Sequence, residues 1–241
     1  MSQFFANIMS SVSGWWDEFS NEFYQNFILN DRWMLLVDGL SVTLTITLGA
    51  LVIGLILGVL LALLRLSKNS ILCGFAKVYL TIFRGTPLLC QLLIINYVVF
   101  SGINIPPVIV AIIAFGMNSG AYVAEIVRSG ILSIDVGQTE AARSLGLNQV
   151  QTLRYIILPQ AFKNILPTLA NELIVLLKET SIVGYIALQD LTKAGDFIRS
   201  RTFSALMPLI GVAMVYLAMT TLLSFLFGKL ERRMRANDSR S

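Results

Sequence analysis

Few side chains in this chain could do chemistry, and those few are spaced helically. Ser181 lies three residues after Lys178, about one helical turn, and a serine beside a lysine can act as nucleophile and base. Glu172 and Glu179 are seven apart and share a face, while Glu125 and Arg128 are three apart and within reach of each other. The sequence has no histidine, which removes imidazole bases and histidine metal ligands. Cys73 and Cys90 form no CxxC pair. A structural zinc needs about four ligands, so that site is excluded and both thiols read as reduced and structural. No GxxxxGK[ST] phosphate loop occurs, since Gly228-Lys229 lacks both the upstream glycine and the following hydroxyl. Any ATP used must therefore be hydrolysed by another polypeptide.

The elements that must position these residues are apolar. Of 241 residues, 56% are hydrophobic and 13% charged, where a soluble domain carries about 25% charged residues. The mean hydropathy of +0.74 agrees. Disordered, collagen-like and ordinary soluble classes are excluded. A bilayer core of about 30 Å takes roughly 20 apolar residues per helix. Five segments qualify, at about 39–64, 78–100, 107–127, 165–188 and 204–226. The expected fold is an all-α integral membrane protein with five transmembrane helices.

Charge between the spans sets orientation. Arg65, Lys68 and Lys77 follow the first span; Arg128, Arg143, Arg154 and Lys163 follow the third; Lys229, Arg232, Arg233, Arg235 and Arg240 fill the tail. These regions are expected inside. The uncharged 101–106 connection, the mixed 189–201 connection and the acidic leader, residues 1–37, are expected outside. Five spans then put the N-terminus out and the C-terminus in. The net charge of +4 is a topology signal and not a nucleic-acid footprint. The leader has no basic n-region and no small-residue cleavage site, so it is not read as a signal peptide. Trp15, Trp16, Phe19, Phe23, Tyr24 and Phe27 recur at helical spacing between acids. That pattern suits a helix in the outer interface or one packed on the bundle.

A long segment, 129–164, joins the third and fourth spans and reads as two short helices. Asp135 and Gln138 have the spacing of a cap with a reciprocal partner, as do Asn148 and Gln151. Residues 139–145 favour helix and Gly146 ends it. A second helix, 149–157, is expected to stop before Pro159. Two short helices meeting at a glycine make a knob whose polar face and small apolar residues suit a partner's groove.

Here the residues resemble a family. Glu140-Ala141-Ala142, then Gly146, then Ile157-Leu158-Pro159 is similar to the EAA loop of ABC-importer membrane subunits. With it stand Arg84-Gly85-Thr86-Pro87-Leu88-Leu89, Tyr122 to Arg128 as YVAEIVR, Gly137-Gln138, Leu158-Pro159-Gln160-Ala161 and Lys178-Glu179-Thr180-Ser181. Together these resemble the permeases of polar amino-acid importers of the histidine/glutamine/arginine type, over residues 38–241. The resemblance implies a type I ABC importer permease fold with a cytoplasmic coupling helix, in a bacterial cytoplasmic membrane. It implies a second permease, identical or homologous, two ATPase subunits that bind ATP and Mg, and an extracytoplasmic amino-acid-binding protein. Glu140, Ala141, Ala142, Leu145 and Gly146 would seat in the ATPase. This chain itself would hold no cofactor and no catalytic residue.

Polar residues within the spans usually face a cavity or a partner. Glu125 and Arg128 read as a salt bridge anchoring the third span or as a functional pair. Arg84 either snorkels to the interface or serves the subunit interface. Gly85-Thr86-Pro87 predicts a kink, and broken helices line transport pathways. Lys178 and Glu179 point about 100° apart, so each needs its own partner, with Thr180 and Ser181 beside them. That partner is either a substrate zwitterion or another helix of the dimer. Gly54 and Gly58 read as close helix packing. Gly116 and Gly120 surround Asn118 and Ser119, with Tyr122 following, and read either as packing or as pathway lining.

Two other classes compete. A stand-alone secondary transporter or channel often shows duplication of its fold, which five unlike spans lack. An intramembrane enzyme would have to rest on Ser181 and Lys178 alone.

Overall fold

The computed structural model describes residues 14–238. The first part of the aromatic leader and Arg240 lie outside the described residues, as does the side chain of Arg235. Helix α1 covers 14–23 and unwinds through a wider turn, Tyr24–Ile28. Then come α2 (Trp33–Leu66), α3 (Ser70–Gly85), α4 (Leu88–Ile94), α5 (Pro107–Leu132), α6 (Val136–Ser144), α7 (Gln149–Thr152), α8 (Leu158–Glu179), α9 (Leu191–Thr202) and α10 (Leu206–Asp238). No strand occurs among the described residues.

Helices α2, α5 and α10 are each long and apolar enough to cross a bilayer. Helices α3 and α4 together, with the turn Ile95–Val99, form a fourth candidate that is bent by 106°. The expected kink is thus a full break. Thr86 is extended (φ −120°, ψ 148°), as a residue before proline prefers, and α4 starts afresh after Pro87. The expected fourth span, 165–188, is α8 continued by a 3-10 segment, Thr180–Ile186. It carries too many polar residues to pass by length and composition alone.

The core is a seam between α2 and α5. A Cβ on Gly116 would lie 2.7 Å from the Ile53 side chain, and one on Gly58 would collide with Val123. Both GxxxG pairs therefore serve one interface, with each helix's small face meeting the other's branched side chains. Ile46, Ala50, Ala114 and Phe115 extend it as fully buried residues.

Two local expectations change. The helix from Gln149 does not stop before Pro159. A wide turn, Leu153–Ile157, leads directly into α8, and Pro159 sits in the first turn, where its missing N–H costs nothing. The 189–201 connection is largely helix α9. Asp190 caps it by accepting from the Thr192 and Lys193 backbone N–H groups, both at 3.0 Å, and is fully buried. Asn26 and Phe27 pin the leader to the bundle. Thr202 Oγ1 donates to Asn26 Oδ1 at 2.7 Å, and Phe27 fills the space over Gly211. Trp15 and Trp16 remain exposed.

Candidate functional site: the α6–α7 knob and the polar faces of the bundle

The knob is built by its caps. Asp135 accepts the Gly137 N–H, although Gln138 does not reciprocate; Gln138 Oε1 instead accepts from Gln160 Nε2 at 3.4 Å. Asn148 and Gln151 form a complete capping box, both bonds 2.9 Å. Between the two helices Gly146 adopts φ +87°, which only glycine takes without strain. Its N–H donates to Arg143 O at 3.0 Å, and that of Leu147 to Ala142 O at 3.2 Å, closing the end of α6.

This turn decides which side chains face out. Ala142 is buried beneath α6, while Glu140 and Ala141 are exposed. Leu145 is 82% exposed and Val150 72%. Among the described residues Glu140 has no hydrogen bond or ion pair. A rigid turn thus presents an unpaired carboxylate flanked by two apolar prongs, which is a surface shaped for a partner. Behind it a groove of about 490 Å³ separates the knob from the ends of α2 and α5, with Leu66, Ile131, Arg143 and Thr152 on its walls.

Residues 54–236 match the family described as the binding-protein-dependent transport system inner membrane component. The chain belongs to that family. The putative glutamine transport system permease protein of Rickettsia bellii is 41% identical over 203 residues, 83% of this chain and 93% of that protein. The arginine transport system permease protein of Bacillus subtilis is 40% identical over 205 residues, covering 84% and 94% respectively. The structure of an amino acid ABC transporter with histidines matches with a TM-score of 0.80 at 45% identity, covering 85% of this chain and 96% of that one. An inward-facing methionine ABC transporter matches at 0.71 with 23% identity and shares the fold, covering 83% and 96%. This protein is the permease subunit of an amino-acid ABC importer, with the type I importer permease fold.

The permease's remaining polar residues sort into three groups. The first closes the break between α3 and α4. Asn118 Nδ2 donates to Phe83 O at 3.1 Å and to Gln91 Oε1 at 2.9 Å. Gln91 Nε2 donates to Phe83 O, Thr86 O and Thr86 Oγ1 at 2.8–3.0 Å. Carbonyls freed by the break are thereby satisfied inside the bundle, as the absence of water at that depth demands. Sequence reasoning singled out Asn118, Thr86 and Pro87 but missed Gln91. One polar residue in the apolar run 88–95 was the available signal.

The second group is hydrogen-bonded between helices or along one helix. Ser119 Oγ donates to Glu172 Oε1 at 2.8 Å, linking α5 to α8. Glu125 and Arg128 pair in a bidentate manner, with Arg128 Nε at 3.1 Å from Glu125 Oε2. Thr180 is fully buried and donates to Leu177 O at 2.7 Å. Asp190, also missed, belongs here: its carboxylate lies 3.5 Å from the Tyr216 hydroxyl on α10, and the Leu191 N–H donates to Thr43 Oγ1 on α2.

The third group is exposed. Lys77, Thr81 and Arg84 form a polar stripe along α3, beside a separate apolar stripe of Ile71, Phe75, Val78 and Ile82. Tyr122 is 37% exposed, and the Arg84 guanidinium lies 5.4 Å from its ring centroid. On α8, Asn164, Thr168, Asn171 and Lys178 are exposed at helical spacing, with Glu179 and Ser181 half-buried behind them. The structure thus separates the expected pathway residues. Asn118, Ser119 and Thr180 lie within the bundle; Tyr122 and Lys178 lie on its surface.

Proposed function

We propose that this permease is one of two membrane subunits, identical or homologous, that enclose the path of a polar amino acid. The knob end faces the cytoplasm and the N-terminal leader faces outside. The supports are the basic residues beyond α2, α5 and α10 and the acidic, aromatic leader. Five spans result when the bent α3–α4 pair and α8 with its 3-10 extension each count as one. The exposed stripes of α3 and α8 require a non-lipid neighbour, because polar side chains facing hydrocarbon are costly. A second copy placed over them, with water between, supplies it.

The observation carrying the coupling mechanism is the outward-facing Glu140–Leu145–Gly146 turn. It seats in a cleft of a separate ATPase subunit, which binds ATP and Mg. Closure of two ATPases moves the two knobs together and turns the permease bundles between outward-open and inward-open states. An extracytoplasmic binding protein delivers the amino acid. Glutamine and arginine are the substrates named for the relatives, and a polar amino acid of that kind is the cargo here.

The test is a purified complex with its ATPase. Glu140→Lys and Gly146→Pro are expected to leave membrane insertion intact, while uptake falls at least about tenfold relative to ATP hydrolysed, as for loss of a charged or rigidly held interface contact. Coupled uptake at wild-type ratio in both variants refutes the coupling role. Uptake into vesicles by the permease alone supports the stand-alone transporter instead.

A further inference from the structure

We infer that a basic cavity on the inner half of the proposed path holds the α-carboxylate of the cargo as it crosses. The inference rests on the reading of the α3 stripe as pathway-lining. The cavity is about 590 Å³ and is bounded by Arg65, Lys77, Thr81, Arg84, Gly85 and Glu125. That size accommodates a small ligand. Three cations line it against one acid: both Glu125 carboxylate oxygens are held by Arg128 from the same helix, and Arg84 and Arg65 act on its charge at longer range, so one carboxylate faces four cations. Arg65 Nε is buried and has no hydrogen-bond partner among the described residues. The Arg84 guanidinium lies over the Tyr122 ring, 5.4 Å from its centroid, and lines the cavity. Lys77 has no ion pair among the described residues.

The buried, unpartnered Arg65 Nε calls for an acceptor, and the exposed Lys77 and Arg84 add positive charge at the open side of the cavity. A planar oxyanion fits two guanidinium groups and an ammonium better than any neutral group does. Thr81 and Gly85 form the exposed rim, on the stripe facing the proposed path and beside the α3–α4 break. Every amino acid carries an α-carboxylate, so this cavity recognises what all cargoes share and leaves side-chain choice to other residues. The other source of such an oxyanion is the phosphate of an anionic phospholipid.

The experiment uses the complete transporter, with ATPase and binding protein, in proteoliposomes of phosphatidylethanolamine and phosphatidylglycerol. Labelled L-glutamine and L-arginine are the probes. The Lys77→Gln/Arg84→Gln variant is expected to lose uptake about tenfold or more, with partial recovery when Arg84→Lys replaces Arg84→Gln. ATP hydrolysis stimulated by the binding protein stays within about twofold of wild type, because the knob is untouched. Lys77 is exposed, so Lys77→Gln alone keeps the test valid if the double variant fails to assemble; its uptake is expected to fall too. Unchanged uptake with intact stimulated hydrolysis overturns the inference. So does native mass spectrometry showing phosphatidylglycerol retained by wild type and lost by the variants, since the cavity then belongs to the bilayer. Failure of the wild-type permease to copurify with an ATPase would instead strike the parent reading.

Discussion

Asn118 and Gln91 together satisfy the carbonyls opened by the α3–α4 break, so neither can be replaced cheaply. Asn118→Leu strands Gln91 Oε1 and leaves Phe83 O with Gln91 Nε2 as its one side-chain donor, and a buried unsatisfied group costs about 1–3 kcal/mol. We expect a lower melting temperature in detergent for Asn118→Leu and for Gln91→Leu. The loss in the double variant should be clearly smaller than the sum, because the two share partners. Additive losses would separate the two residues. Asp190 makes a different prediction. Burial pushes its carboxyl above the usual aspartate range, against the pull of the Lys193 and Thr192 backbone N–H groups. A raised folded pKa means the ionised form costs stability, and that cost eases as pH falls through the raised value toward the ordinary one. Asp190→Asn keeps a good cap and removes the charge, so its melting temperature should change less than that of wild type as pH falls from neutrality toward the ordinary aspartate range, while Asp190→Ala loses about 1 kcal/mol of capping. Neither Gln91 nor Asp190 stood out in the sequence. One is a single polar residue in an apolar run, the other a charge beside four more. Their roles depend on contacts 27 and 26 residues away along the chain, which periodicity does not encode.

At the scale of elements, long apolar runs made α2, α5 and α10 legible, and helix-capping residues made the knob legible. The break in the second span was visible as Pro87, but its 106° angle was not, because it depends on what α5 offers the freed carbonyls. Helix α9 was not legible, because its mixed charges give it the composition of a loop between spans. The tightness of the α2–α5 seam yields a test. Gly58→Leu must displace Val123 and Ala124, and overpacking of this kind costs about 1–3 kcal/mol. Thermal stability should fall accordingly, whereas Gly74→Leu, where an added Cβ meets nothing, should be silent. Equal effects at both positions would contradict the seam.

For the molecule as a whole, sidedness is the claim with the widest reach. In a background lacking Cys73 and Cys90, Ser200→Cys on α9 should react with an impermeant maleimide in intact cells, and Ser144→Cys on the knob only after permeabilisation. The reverse pattern would invert every assignment of inside and outside made above. The α2–α5 seam also carries a consequence for the chain's history. Its small residues recur at four-residue intervals on both helices, so deleting one residue between Gly54 and Gly58 would rotate everything beyond it by about 100°. Branched side chains would then confront each other where glycines now nestle. Substitutions can accumulate along these two helices, but single insertions and deletions should be purged, and length variation among descendants should concentrate in the leader, the knob's flanks and the tail.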